Sequence, residues 1–258
     1  MARLQRHLLG SLISREIRGR LTDSLFSWLW IFITPVLLLA VYGFVFGVVF
    51  QARVPPGLDI PFIAWLAVAL WPWLAFSEGV LRGSGSIRQH SALIAKVAVP
   101  RAMLAASSQT AAFVLQLLGY SVVLIILLLL GISIQLTGLP YLLLLLATLY
   151  LFSLGLGLLF SAIQVFVRDL EQLLPTLFMF WFFLTPILYA PEMLPGDLAQ
   201  WLKLNPMTWW MAEARAALFH GKWLPDLIFA GLLTGALASL WFGKRVFDRL
   251  SPHFEDFL

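Results

Sequence analysis

The side chains able to do chemistry in this 258-residue chain are few and scattered. Its four histidines, His7, His90, His220 and His253, lie far apart, no H-E-x-x-H pairs two of them on a helix, and there is no cysteine. A metal centre, a thiol nucleophile and a disulfide framework therefore lack a ligand set. Asp169 and Glu171 stand beside Arg168, but a carboxylate pair two residues apart suits the start of a helix better than general acid–base work. No G-x-x-x-x-G-K-[ST] loop is present to cradle a nucleotide's phosphates. The expectation is a chain with no catalytic, cofactor-binding or metal-binding residue, and hence not an enzyme.

Three other groups of residues suit contact rather than reaction. In residues 8–18, Leu8, Leu9, Leu12, Ile13 and Ile17 share one half of a helical wheel, and Ser11, Ser14, Arg15 and Arg18 share the other, with Glu16 the exception. A basic amphipathic helix of this kind lies in the headgroup plane. It is either a plain anchor or a collar at a lateral entrance, where Arg15 and Arg18 would face a charged headgroup. The second group follows the breaker Gly83-Ser-Gly-Ser86 and stops at Pro100: Ile87, Leu93 and Ile94 alternate with Arg88, His90 and Lys96. The pattern predicts a short amphipathic helix over about 84–99, either a docking knob or a connector. The third group is the segment 190–226, with Trp201, Trp209, Trp210 and Trp223 among few charges, divided by Pro191, Pro195, Pro206 and Pro225. Two short helices fit, about 197–203 and 207–219, joined by Asn205-Pro206. Their aromatics form an interfacial belt, or the segment dips into the bilayer and lines an exit.

The elements that must hold these groups are membrane helices. Hydrophobic residues make up 61% of the chain and charged residues 12%, against roughly 45–50% and about 25% in an ordinary soluble domain. That balance excludes a soluble enzyme, a disordered regulator and a nucleic-acid-binding domain. The last is excluded despite a pI near 9.7, because the net charge is only +4. Residues 24–52, 60–77, 102–167, 172–191 and 227–243 contain no Asp, Glu, Lys or Arg. The longest run divides at the turn residues 131–140, which gives six spans of about 26–50, 60–78, 103–130, 141–166, 173–190 and 226–243. With six spans, 13 of the 17 basic residues fall on the side that holds both termini, which the positive-inside rule makes cytoplasmic. The first 23 residues carry five Arg and two acids, so no cleavable signal peptide is expected. Pro35, Pro72, Pro175 and Pro186 would kink their spans. The uncharged span cores exclude a proton relay, a voltage sensor and an ion-coupled carrier. The fold class is an all-α integral membrane protein, one domain over residues 1–258.

Several ordered motifs carry a family resemblance. Arg15-Glu-Ile-Arg18, Trp28-Leu-Trp30 and Pro35, then Leu93-Ile-Ala-Lys96 with Pro100-Arg101, resemble the ABC-2 type permeases. Phe166-Val-Arg-Asp-Leu170, Leu184-Thr-Pro-Ile-Leu-Tyr189, Leu194-Pro195, Leu204-Asn-Pro206 and the terminal Phe254-Glu-Asp-Phe257 are similar to its polysaccharide branch, the O-antigen, teichoic acid and capsule exporters. The tail carries Glu where that branch has Ala. The resemblance covers the whole chain. It implies two copies of this chain with two copies of a separate ATPase, which holds the ATP and Mg. It further implies an interfacial helix at about 4–21, a coupling helix at about 84–99 docking on the ATPase, and gate helices at about 196–219 bearing Trp201, Asn205, Pro206, Trp209 and Trp210. The implied cargo is a polyprenyl-diphosphate-linked glycan moved outward across the inner membrane, with membrane lipids as neighbours and no nucleic acid. An ABC-2 permease for a drug, small lipid or peptide is the alternative. A membrane-embedded glycan polymerase or transferase would need acidic, His or metal groups that the sequence does not gather.

Overall fold

The computed structural model describes residues 2–22, 27–52, 54–55, 59–94, 99–194 and 198–257. Among them the chain is predominantly helical and forms no strand. The helices are α1 (Ala2–Thr22), α2 (Ser27–Tyr42, continued by a π-helical stretch over Gly43–Val49), α3 (Phe62–Gln89), α4 (Ser91–Ile94), α5 (Arg101–Leu129), α6 (Leu139–Phe166), α7 (Leu170–Leu184), α8 (Leu198–Leu202), α9 (Pro206–His220) and α10 (Leu227–Leu250). A 3-10 turn over Ser251–Asp256 closes the chain. Helices are the expected outcome, since hydrocarbon offers no partner to an open backbone group.

Five stretches among the described residues are long and apolar enough to cross a bilayer: Leu29–Val49, Phe62–Gln89, Arg101–Leu129, Leu136–Phe166 and Leu227–Phe254. The fifth expected span, 173–190, differs. It is helical only as α7, 15 residues long. Thr185 precedes Pro186, and the ring of a proline drives the residue before it out of the helical region. Thr185 accordingly has φ −99° and ψ 135°. Pro186 thus ends its helix rather than kinking it, whereas Pro35, Pro72 and Pro175 lie inside α2, α3 and α7.

α3 is the buried axis, flanked by α5 and α6, and every residue from Ala64 to Ala69 is at most 2% exposed. Pro72 has no N–H to give the carbonyl four residues back. The Tyr120 hydroxyl of α5 replaces it, donating to the Val68 carbonyl at 3.2 Å. Gly79, Gly83 and Gly157 leave room for Gln109 of α5, whose amide donates to Ser153 Oγ at 2.7 Å. The expected break at Gly83–Ser86 is therefore absent. Those small residues stay helical because they serve close packing, and Ser84 and Ser86 return hydrogen bonds to Leu81 and Gly83 carbonyls at 2.8 and 2.7 Å. α10 packs on α6 where Gly243 meets the Gly155 backbone, and Ser239 Oγ donates to the Phe152 carbonyl at 3.1 Å.

The bundle has two distinct ends. At one, Leu12 of α1, Ile87 of α3, Leu104 of α5, Phe247 of α10 and Phe254 of the tail form one buried cluster, so both ends of the chain lie on the same side. At the other, the turn between α5 and α6 meets α9, with Gln135 N–H donating to the Leu218 carbonyl at 2.7 Å.

Candidate functional site

The segment 185–226 carries the most unusual construction. Asn205 precedes Pro206, and both suit a helix start: Asn as a cap whose side chain takes a free N–H, Pro as a first residue that needs none. Asn205 Oδ1 accepts from Met207 N–H at 3.0 Å and from Trp181 Nε1 at 2.9 Å. Its amide donates to the Leu184 carbonyl at 3.1 Å and to Thr185 Oγ1 at 2.9 Å. One side chain thereby caps the C-terminus of α7 and the N-terminus of α9.

This joint lies midway along the bundle, half-buried at its side. Trp181 packs edge-on against Trp73 and Phe76, with centroids 5.9 and 5.3 Å away. At about 1.5 Å per residue, those rings lie ~16 and ~21 Å along α3 from Phe62. Trp210 reaches a similar depth: its Nε1 donates to Thr148 Oγ1 at 3.1 Å and its ring lies 4.9 Å from Phe152 on α6. α9 therefore runs from mid-bundle to the far end, and α7 rises from the near end to meet it. Together they cross once. The segment dips into the bundle, and the expected helices over 197–203 and 207–219 correspond to α8 and α9.

Two charged residues fasten α9 on its outward course. Arg215 is buried, and its guanidinium lies 3.3 Å from the Trp65 ring centroid. It donates to the carbonyls of Pro186 at 2.8 Å, Ile187 at 3.2 Å and Trp65 at 3.3 Å, occupying carbonyls of the non-helical chain after α7. Glu213, also buried, accepts from the Tyr141 hydroxyl at 2.5 Å and from Lys222 Nζ at 2.6 Å. Lys222 also reaches Asp226 at 2.7 Å. Burial acts to lower the Lys222 pKa, but hydrogen bonds to Asp226 and Glu213 outweigh it and hold the value above the ordinary range. The hydrogen bond from Lys222 holds Asp226 below its own.

The opposite end brings α1 against α3 and α5. Glu16 faces inward and pairs with His90 Nε2 at 3.0 Å, while the ring's Nδ1 meets the Ser86 carbonyl at 2.8 Å. Hydrogen bonding to Glu16 raises the His90 pKa, and hydrogen bonding to His90 lowers that of Glu16. Arg20 lies 3.4 Å from Glu78, Arg82 lies 3.7 Å from it, and Gln116 donates to its other oxygen. Arg101 clasps the tail through the Ser251 carbonyl and the Phe254 ring.

The expected contact residues are distributed as follows. Arg15 and Arg18 lie on the exposed face of α1. Ile87 is fully buried and Arg88 pairs with Glu171 at 3.0 Å, both in the last turn of α3. His90 ends that helix, Leu93 and Ile94 lie half-buried on α4, and Lys96 lies outside the described residues. The separate short helix thus begins at Ser91 rather than near 84. Trp201 is exposed, Trp209 donates to the Lys203 carbonyl at 3.0 Å, and Asn205, Pro206 and Trp210 form the joint. The sequence reading missed Glu213, Arg215, Tyr141 and Glu78. The available signal was two charges, Glu213 and Arg215, inside an otherwise apolar helix.

These features define a multi-pass membrane protein with a re-entrant helical segment. The family model for the ABC-2 type transporter matches residues 7–219, and the chain belongs to that family of transport proteins. The chain is 31% identical to the O-antigen export system permease protein RfbA of Myxococcus xanthus, over 97% of this chain and 95% of the relative. It is 25% identical to the protein of the same name from Klebsiella pneumoniae, over 97% and 95% of the two chains. Identity to the polysialic acid transport protein KpsM of Escherichia coli is 25%, over 95% and 93%.

Proposed function

We propose that this chain is the membrane subunit of an ATP-driven exporter that moves a polyprenyl-diphosphate-linked polysaccharide outward across the inner membrane. The observation that carries the reading is end-to-end similarity to relatives named for O-antigen export and polysialic acid transport. Two copies of the chain form the path, and two copies of a separate ATPase hold the ATP and Mg. The end holding both termini faces the cytoplasm, in keeping with its 13 basic residues. There Arg15 and Arg18 attract the diphosphate headgroup, and Leu93, Ile94 and Lys96, with Arg88 and His90 beside them, receive the push of the ATPase. Ile87 supports that contact from within. At the outer end, α8 and α9 act as the gate, with Trp201 and Trp209 offering ring faces on which sugars stack and the buried Trp210 anchoring α9 against α6.

The test is deletion and complementation. Loss of the chain should leave lipid-linked glycan on the cytoplasmic side and remove it from the cell surface, and re-expression with its ATPase should restore it. Surface glycan that survives deletion, together with altered drug sensitivity, would overturn the reading.

A further inference from the structure

The lower third of α10 carries a feature that neither the gate nor the coupling end uses. α10 packs through Leu232, Ala236, Gly243 and Phe247, which leaves its other faces open. Down one open face run Leu237, Trp241, Lys244, Arg245 and Asp248, spaced so that they stack along the axis. Trp241, Lys244, Arg245, Asp248 and Arg249 line a surface groove of about 380 Å³. Lys244 Nζ is held by Asp248 at 2.5 Å, and the Arg245 guanidinium lies 5.8 Å from the Trp241 ring centroid. Among the described residues no carboxylate lies within ion-pair distance of Arg245 or Arg249. With Lys244 and Asp248 cancelling, the described groove residues keep the two positive charges of Arg245 and Arg249.

Its depth matters as much as its charge. From Leu227 to Arg245 is ~27 Å along the helix at 1.5 Å per residue, close to the ~30 Å thickness of the hydrocarbon. Above it, Leu237, Trp241 and Phe242 are 50%, 64% and 53% exposed, an apolar wall continuous with the groove. A ligand matching this surface has a phosphate at the level of the arginines and acyl chains directly above. We infer that the Trp241–Arg249 groove binds the phosphate headgroup of an anionic glycerophospholipid in the adjoining leaflet. The two arginine charges favour an anionic lipid over a zwitterionic one, and the apolar wall favours a lipid over a free phosphate. The inference rests on the membrane placement of α10 and is independent of the cargo.

The experiment is native mass spectrometry on the full-length chain purified in its complex. Phosphatidylglycerol, phosphatidylethanolamine and inorganic phosphate are each added as probe. Each cation near a lipid phosphate contributes about fivefold in affinity, so Arg245→Gln with Arg249→Gln should weaken phosphatidylglycerol binding ~25-fold, to the level of phosphatidylethanolamine. Arg168→Gln, an exposed cation outside the groove, should change nothing. Asp248→Asn releases Lys244 and should strengthen binding about fivefold, a gain that misfolding does not produce. The inference is overturned if wild type binds both lipids equally, if the double variant keeps its preference, if Asp248→Asn weakens binding, or if inorganic phosphate displaces the lipid at equal concentration. The complementation experiment reads a different quantity, so failure of the export reading leaves this result intact.

Discussion

Replacing Asn205 with Leu tests whether the joint of α7 and α9 is held by one side chain. The substitution keeps the branched side-chain skeleton but removes four hydrogen bonds, to Met207 N–H, Trp181 Nε1, the Leu184 carbonyl and Thr185 Oγ1. Losing a helix cap costs about 1 kcal/mol. Side-chain hydrogen bonds inside membrane bundles average ~0.6 kcal/mol, and the site is only half-buried, so the other three add about 2 kcal/mol. The expected loss is ~3 kcal/mol of stability. Unfolding in increasing SDS, followed by circular dichroism, measures it. Asn205→Asp keeps the acceptor for Met207 and Trp181 but loses the amide donor, and should recover about half. A double-mutant cycle with Trp181→Phe isolates the indole bond, with an expected coupling of ~0.5–1 kcal/mol. If Asn205→Leu unfolds within ~0.5 kcal/mol of wild type, the two helices are held by packing alone and the reasoning fails.

Three further tests follow from contacts elsewhere in the bundle. Arg215→Met should cost ~2–4 kcal/mol by the SDS titration, since carbonyls of Pro186, Ile187 and Trp65 lose their donor; Arg215→Lys should recover only part, because a single ammonium cannot reproduce the fork. The Glu16–His90 contact makes α1 docking pH-dependent. His90 has a raised pKa, so its contribution is full below the ordinary value of 6.5 and fades as pH rises through the raised one. Glu16, lowered, withdraws its share only as pH falls below 4.5 through the lowered value. The protection factor of α1 amides, the observed exchange rate divided into the intrinsic rate at each pH, should therefore fall as pH rises through the raised His90 value in wild type but stay flat in His90→Gln. Gly243→Ala places a methyl against the Gly155 backbone and should cost at least ~2 kcal/mol, whereas Gly231→Ala, with open space around it, should unfold within ~0.5 kcal/mol of wild type.

What the sequence revealed depended on how local each cause was. Asn205-Pro206 announced the start of α9 because cap and first-turn preferences act within three residues. The amphipathic α1 was visible from its periodicity, and Glu16, out of pattern there, turned inward to a partner 74 residues away. The extension of α3 through Gly83–Ser86 was hidden because glycine reads as a breaker until Gln109 is seen filling the space it leaves. The shortness of α7 was hidden because absence of charge marks what hydrocarbon tolerates, not whether the chain is coiled or extended. Arg215 and Glu213 find partners 150 and 72 residues away in sequence, which no local pattern encodes.

The meeting of two half-length helices also bears on how the chain enters the bilayer during synthesis. α7, with 15 residues, is shorter than the ~20 an independent insertion signal requires. α9 carries Glu213 and Arg215, each a charge that costs ~2.5–3.5 kcal/mol at the centre of an isolated inserted helix. Neither has a favourable place in lipid by itself. Trp65 and Tyr141, which receive those charges, belong to α3 and α6, both made earlier. The ribosome therefore delivers the partners first, and the re-entrant segment has a prepared seat when it emerges. Translation order from the N-terminus thus suits this architecture, and a circular permutant that presents α7–α9 before α3 and α6 should be retained by the insertion machinery or degraded.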